Sequence, residues 1–202
     1  MKQLIISVGR ESGSGGHEIA EKLAQRFSLP LYDKNLLSEI AKHKNLNEET
    51  LRKYEEAPRN RILGRSVRGR NNAMLNNSMQ AGVFAIQTTW LQEKAEAGES
   101  FIVVGRCAEA ALAHYPGLVS LFICGEPDAR INRLMKRHNF TFREASDYMV
   151  KQDKRRRAYH DENCSGNWGD AANYHLSISS TPLGIDRTVD FLEGYIQERI
   201  KE

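Results

Sequence analysis

The stretch "SVGRESGSGGHEIA", residues 7–20, decides how the rest of the chain is read. It closes a short apolar run, "QLIISV" (3–8), and opens a helical pattern with Ile19, Leu23 and Phe27 four apart. An apolar, β-branched run of that length predicts a strand buried on both faces. Glycines at 13, 15 and 16 allow φ > 0 and a close approach of backbone to ligand. Successive amides can then form an anion nest, to which the following helix adds its positive end. Gly13, Ser14, Gly15, Gly16 and His17 are therefore the expected phosphate contacts. A G-x-x-x-x-G-K-[ST] loop ends in Lys and then Ser or Thr; Gly16 and His17 stand in those places here. A cradle made of backbone amides survives both replacements.

The same glycines half-fit a dinucleotide loop. Gly13 and Gly15 supply the first two glycines of G-x-G-x-x-G, and Asp33 lies near the ribose-binding position. The third glycine position is Glu18, a bulky acid where close packing is needed.

Downstream, Pro30 ends the first helix. "LYD" (31–33) reads as a short second strand, "NLLSEIAKH" as a helix, and "NLNEETLRKYEEA" as a short helix. "RNRILGRSVRGRNN" (59–72) reads as a basic, glycine-punctuated loop, followed by a long helix from Ala73 to Ala97 closed by Gly98. "FIVVG", "VSLFIC" and "YHLSIS" are the remaining strands. Ile185, Val189, Leu192, Ile196 and Ile200 mark a C-terminal helix. Apolar strands alternating with helices predict an α/β fold: a three-layer domain with a parallel sheet of about five strands. Such sheets bind ligands beyond the carboxyl ends of their strands, where the glycine loop lies.

A chain of 202 residues, 27% charged and 40% hydrophobic, fits one soluble globular domain spanning 1–202. No apolar run reaches a membrane span, and "MKQLIISVG" reads as a strand, not a leader, so a cytoplasmic protein is expected. Cys107, Cys124 and Cys164 lack metal-ligand spacing and read as reduced structural thiols. Net charge is only +3, but residues 130–157 hold ten Lys or Arg against three acids. In "DARINRLMKRH", Arg130, Arg133 and Arg137 share one helical face, with Ile131, Leu134 and His138 on another. In "VKQDKRRRAYH", Asp153 precedes Arg156 and Arg157 by three and four residues, close enough to orient one. A charged helical hairpin is usually a solvated surface. Between two core strands of a phosphate-binding sheet it also suits a lid, over about 128–168, that closes arginines on phosphates.

Three segments resemble the cytidylate kinase-like family of P-loop nucleoside monophosphate kinases: "GRESGSGGHEIAEKLA" with "LPLYDKNLL", then "FIVVGRCAEAAL", then "DKRRRAYHDENCSGNWGDAANYHLSISSTPLGI". The resemblance implies a P-loop NTPase-type fold, ATP with Mg²⁺, and nucleotide substrates, CMP among them. It places the donor phosphates on Gly13–His17, the acceptor near Asp33 and Arg106, and Lys154 and Arg156 on the lid; from the hairpin's own pattern, Arg130 is a further expected phosphate contact and Asp153 the orienting acid. The usual cytidylate kinases have Lys and Ser or Thr at 16 and 17, and an acid where Cys107 stands. Arg10, at the loop entrance, is the candidate for the missing positive charge. Asp33 reads equally as a helix N-cap, His17 as a surface residue, and Tyr159 and Trp168 as base-stacking or packing aromatics. Two other classes fit the residues: a non-catalytic nucleotide-binding or regulatory protein, and a nucleic-acid binder using the basic segments. The near-neutral net charge argues against the latter.

Overall fold

The computed structural model of the chain describes residues 2–56 and 67–201. Two compact units emerge, Met1–Tyr32 with Ala95–Glu202, and Asp33–Lys94. The expected lid, 128–168, lies wholly inside the first.

Among the described residues, five strands form one parallel sheet: β1 (Ile5–Arg10), β2 (Leu31–Tyr32), β3 (Phe101–Val104), β4 (Leu118–Cys124) and β5 (Leu176–Ser179), in the order β2-β3-β1-β4-β5. β1 is central. Ile5–Val8 run beside Phe101–Val104, and Ile5–Arg10 beside Leu118–Ile123. Connections go to one side of β1 for β2 and β3 and to the other for β4 and β5. The carboxyl end of β1 is therefore the switch point where open parallel sheets bind ligands.

One sheet face carries Ile6, Val8, Ile102, Val104, Val119, Leu121 and Ile123. It is covered by Ile19, Ala20, Leu23 and Ala24 of α1 (Gly16–Phe27), with Val189, Leu192 and Ile196 of α8 (Gly184–Arg199). α1 stops as expected: Ser28 turns left-handed (φ 53°), and the Leu29 amide donates to the Ala24 carbonyl before Pro30. On the other face, Phe122 packs against Tyr174 and, edge-on, Trp168, at ring separations of 4.9 and 5.5 Å. Trp168 also lies under the Arg157 guanidinium, so packing is its role within the fold.

The remaining helices of this unit are α5 (Ala108–Ala111), α6 (Pro127–His138) and α7 (Phe142–Asn163). α6 and α7 form the expected hairpin, but it is less bare than its charge suggests. Ile131, Leu134, Ala145 and Met149 bury one another, flanked by Met135, Phe140 and Tyr148. Thr141 and Glu144 close a reciprocal capping box at the start of α7.

The second unit holds α2 (Leu36–Lys44), α3 (Glu48–Glu56) and most of α4 (Val67–Glu96). Ser38 and Arg52 both bond Glu48, and Gln87 bonds Glu55 at 2.6 Å. α4 is already helical at Val67, ahead of the expected start at Ala73. Residues 67–72 of the expected basic loop are helical, and 59–66 lie outside the described residues. Gly69 and the Asn71–Asn72 pair disfavour helix locally, but 24 further helical positions carry the turn. Among the described residues no helix is long and apolar enough to cross a membrane.

Candidate functional site

Residues 11–15 form a tight loop between the carboxyl end of β1 and the first turn of α1. Gly13 (φ 77°) and Gly15 (φ 82°) adopt the left-handed conformation expected of them. Gly16 does not. Its glycine is required by sterics: a Cβ there would lie 2.5 Å from Arg10 Cβ and 3.3 Å from Ile123 Cβ. The place where a lysine side chain would leave the backbone is filled by the stem of Arg10.

The loop is braced through its carbonyls. Ser12 O accepts from Arg130 Nε at 2.8 Å, Gly13 O from Arg133 Nη1 at 2.7 Å, and Ser14 O from Ser180 Oγ at 2.5 Å. Ser14 Oγ donates to Glu11 O and accepts from the Gly16 amide. With the carbonyls held from outside, the amides of Gly13 and Gly15 meet no acceptor among the described residues. Both sit at the positive end of α1.

Arg130 is not free to meet a phosphate. It is buried, and each arm of its fork is taken: Nε by Ser12 O, Nη1 by Glu11 Oε2 at 3.1 Å, and Nη2 by Asp153 Oδ2. Asp153 in turn accepts from the Ser12 amide at 2.7 Å. Its nearer cationic partner is therefore Arg130 from α6, while Arg156 Nη1 stands 3.9 Å away and donates instead to Arg10 O at 3.2 Å. The Glu11–Arg130–Asp153 triad latches the hairpin onto the loop. Sequence spacing showed Asp153 beside Arg156 and could not show an arginine from another helix.

Arg133 is the cation that sequence reasoning placed on the right face without giving it a role. It contacts Gly13 O, and its Cζ would lie 3.5 Å from a Cβ on Gly15. Among the described residues its other nitrogens make no hydrogen bond. The Arg10 guanidinium turns the other way, toward Gly105 at the carboxyl end of β3, where a side chain would collide with it. Gly105, Arg106 and Cys107 are all left-handed there (φ 76°, 66° and 53°). Arg10 and Arg106 thus mark the β3 side of the crevice, and Arg133 the loop side.

The other expected residues are dispersed. His17 pairs with Glu21 one turn along α1 at 3.2 Å. Lys154 is exposed on α7. Asp33 is buried in the second unit and does not cap α2. The N-cap is Asn35, whose side chain accepts from the Asp33 amide. A separate cavity of about 370 Å³ opens at the amino ends of β1 and β4, lined by Gln3, Pro116, Leu118 and Arg199 among others. It lies at the opposite end of the strands from the loop.

Residues 5–182 match the model of the cytidylate kinase-like family. No curated protein sequence matches the chain. A crystal structure of an uncharacterized protein from Eubacterium ventriosum is similar at 33% identity and TM-score 0.75, covering 96% of this chain and 99% of that one. The shikimate kinase of Bacteroides thetaiotaomicron is similar at 14% identity and TM-score 0.55, over 96% and 98% of the two chains. That of Acinetobacter baumannii, solved in complex with shikimate, is similar at 9% identity and TM-score 0.53, over 97% and 94%. At such identities the last two speak for a shared P-loop kinase fold.

Proposed function

This chain belongs to the cytidylate kinase-like family, and from that premise we propose that it is an ATP-dependent phosphotransferase acting on a nucleoside monophosphate, with CMP the first acceptor to test. The observation that carries this reading is the pair of unengaged amides at Gly13 and Gly15, at the start of α1, beneath the Arg133 guanidinium. In this reading the donor phosphates rest on the loop amides. The unused donors of Arg133 neutralise the transferring group, and a guanidinium does so with planar, bidentate geometry. Arg10 and Arg106 serve the acceptor, and Lys154 and Arg156 approach from the hairpin. An acceptor phosphate oxygen attacks the γ-phosphorus as the bond to the β-phosphate oxygen breaks. Such transfer asks for position and charge, with no covalent group on the protein.

Mg²⁺ fits this loop poorly. The hydroxyl that usually holds it is replaced by His17, which is paired with Glu21. Ser14 Oγ is spent on the loop itself, and Glu11 and Asp153 are spent on Arg130. None of these four side chains is left to anchor the ion. That same deficit favours a second reading, a nucleotide-binding protein without transferase activity.

Transfer assays with ATP against each nucleoside monophosphate, run beside direct ATP binding, test the proposal. Turnover on at least one acceptor, falling roughly 10³-fold in Arg133→Ala as for other phosphoryl-transfer arginines, is expected. ATP binding with no turnover on any acceptor would move the chain to the second reading.

A further inference from the structure

Away from the glycine loop, the fold brings the Cys164 thiol to a thiol and a carboxylate, Cys107 and Glu109, more than fifty residues earlier in the sequence. Cys107 is the N-cap of α5, directly after Arg106, and Cys164 is the C-cap of α7. The two sulfurs and a carboxylate oxygen of Glu109 lie within 4.8 Å of one another. Cys107 is 3% exposed, Glu109 8%, and Cys164 half-buried, so the cluster has one side open to entry.

Glu109 is a buried carboxylate with an incomplete set of partners. Oε1 lies 3.1 Å from His160 Nε2, but among the described residues Oε2 has only the Ser7 hydroxyl, at the long distance of 3.5 Å. An ionised carboxylate offers about four acceptor sites, and burial makes each unfilled one costly. Two thiolates and a carboxylate are also a known donor set for a tetrahedral d¹⁰ dication. Soft sulfur selects such an ion over Mg²⁺ or Ca²⁺. His160, itself only 4% exposed, would hold the carboxylate ligand as an outer partner, an arrangement typical of zinc sites.

We propose that Cys107, Glu109 and Cys164 bind a thiophilic divalent cation of the zinc class, with His160 as the positioning residue behind Glu109. Its place in the fold gives it a structural consequence. It would tie the end of α7, the return arm of the hairpin, to the β3–α5 turn that carries Arg106. The site is independent of the nucleotide reading, because it shares no ligand atom with the loop.

The full-length chain, prepared reduced and metal-free, would be titrated with Co²⁺ and then with Zn²⁺. One equivalent of Co²⁺ is expected to bring a thiolate-to-cobalt charge-transfer band with intense visible absorption of tetrahedral type, both removed by Zn²⁺. Cys164→Ser, at the half-buried position, should weaken that band and lower affinity without loss of helical circular dichroism. His160→Gln should keep the band while weakening affinity about 10–100-fold, the usual effect of losing an outer partner. No thiolate band in the wild-type chain overturns the proposal. So does a band that persists unchanged in Cys164→Ser, or a chain that shows no cobalt uptake and forms only a Cys107–Cys164 disulfide on oxidation.

Discussion

Gly16 stands where a P-loop carries lysine, and its neighbours explain why. The Cβ and Cγ of Arg10 occupy the space a side chain at 16 would need. Restoring the lysine is therefore expected to harm the loop. Gly16→Ala should destabilise by about 1–3 kcal/mol, the usual range for overpacking. Arg10→Gly, which removes the offending Cβ, should recover at least about 1 kcal/mol of that loss in a double-mutant cycle. Arg10→Ala should recover none, since its Cβ remains. Denaturant melts of the four-member cycle decide it, and additive effects would refute the steric account. The same residue shows how side chains mislead when read from sequence alone. Arg10 is at the loop entrance in sequence, yet its guanidinium turns to Gly105. Arg130 reads as a phosphate ligand, yet two carboxylates hold it.

Among the elements, the hairpin of α6 and α7 changes most between sequence and structure. Its charge suggested a loosely attached lid; its own apolar cluster and the Glu11–Arg130–Asp153 latch make it a packed unit docked on the loop. Removing Asp153 strands part of a buried guanidinium charge. Asp153→Ala should lose about 2–3 kcal/mol, less than the ~3–5 of a fully orphaned buried charge because Glu11 remains. Hydrogen exchange should show faster opening across 127–163 with the sheet unchanged; uniform acceleration throughout the chain would argue against a latch. Strands β1, β3 and β4 were legible because a parallel sheet buried on both faces writes continuous apolar runs. α4 was legible only in part, because Gly69 and two asparagines hide its first turns. The order β2-β3-β1-β4-β5 and the meeting of Cys107 with Cys164 depend on long-range pairing that no local pattern encodes.

β5 adds a pH-dependent lock at the sheet edge. His175 Nδ1 accepts from the Ser120 amide at 3.1 Å, which requires an unprotonated nitrogen. Partial burial of the ring, then the Arg199 charge, hold its pKa below the ordinary 6.5. The unfolded chain therefore binds a proton at higher pH than the folded one, so stability falls as pH drops through about 6.5. Melting temperatures followed from pH 8 to 5 should carry this acid-side contribution, set against the opposite one of His160, whose pKa is raised first by its hydrogen bond to Glu109. His175→Gln should flatten it; an unchanged slope would remove His175 as its source.

At the scale of the whole molecule, a central strand, a glycine turn and a helix dipole converge at the sheet's switch point, and a docked hairpin sets one cation over them. Positioning of this kind can hold a polyphosphate with neither the lysine nor the hydroxyl that P-loops usually carry. The most direct test is calorimetric: the ATP dissociation constant of the wild-type chain and of Arg133→Ala, at one fixed ionic strength, with folding confirmed by thermal melts. Loss of a charge-assisted hydrogen bond to phosphate is worth about 1.5–3 kcal/mol, so binding should weaken roughly 10- to 150-fold. Equal affinity in the two proteins, or no ATP binding by the wild-type chain, would contradict a backbone cradle completed by Arg133.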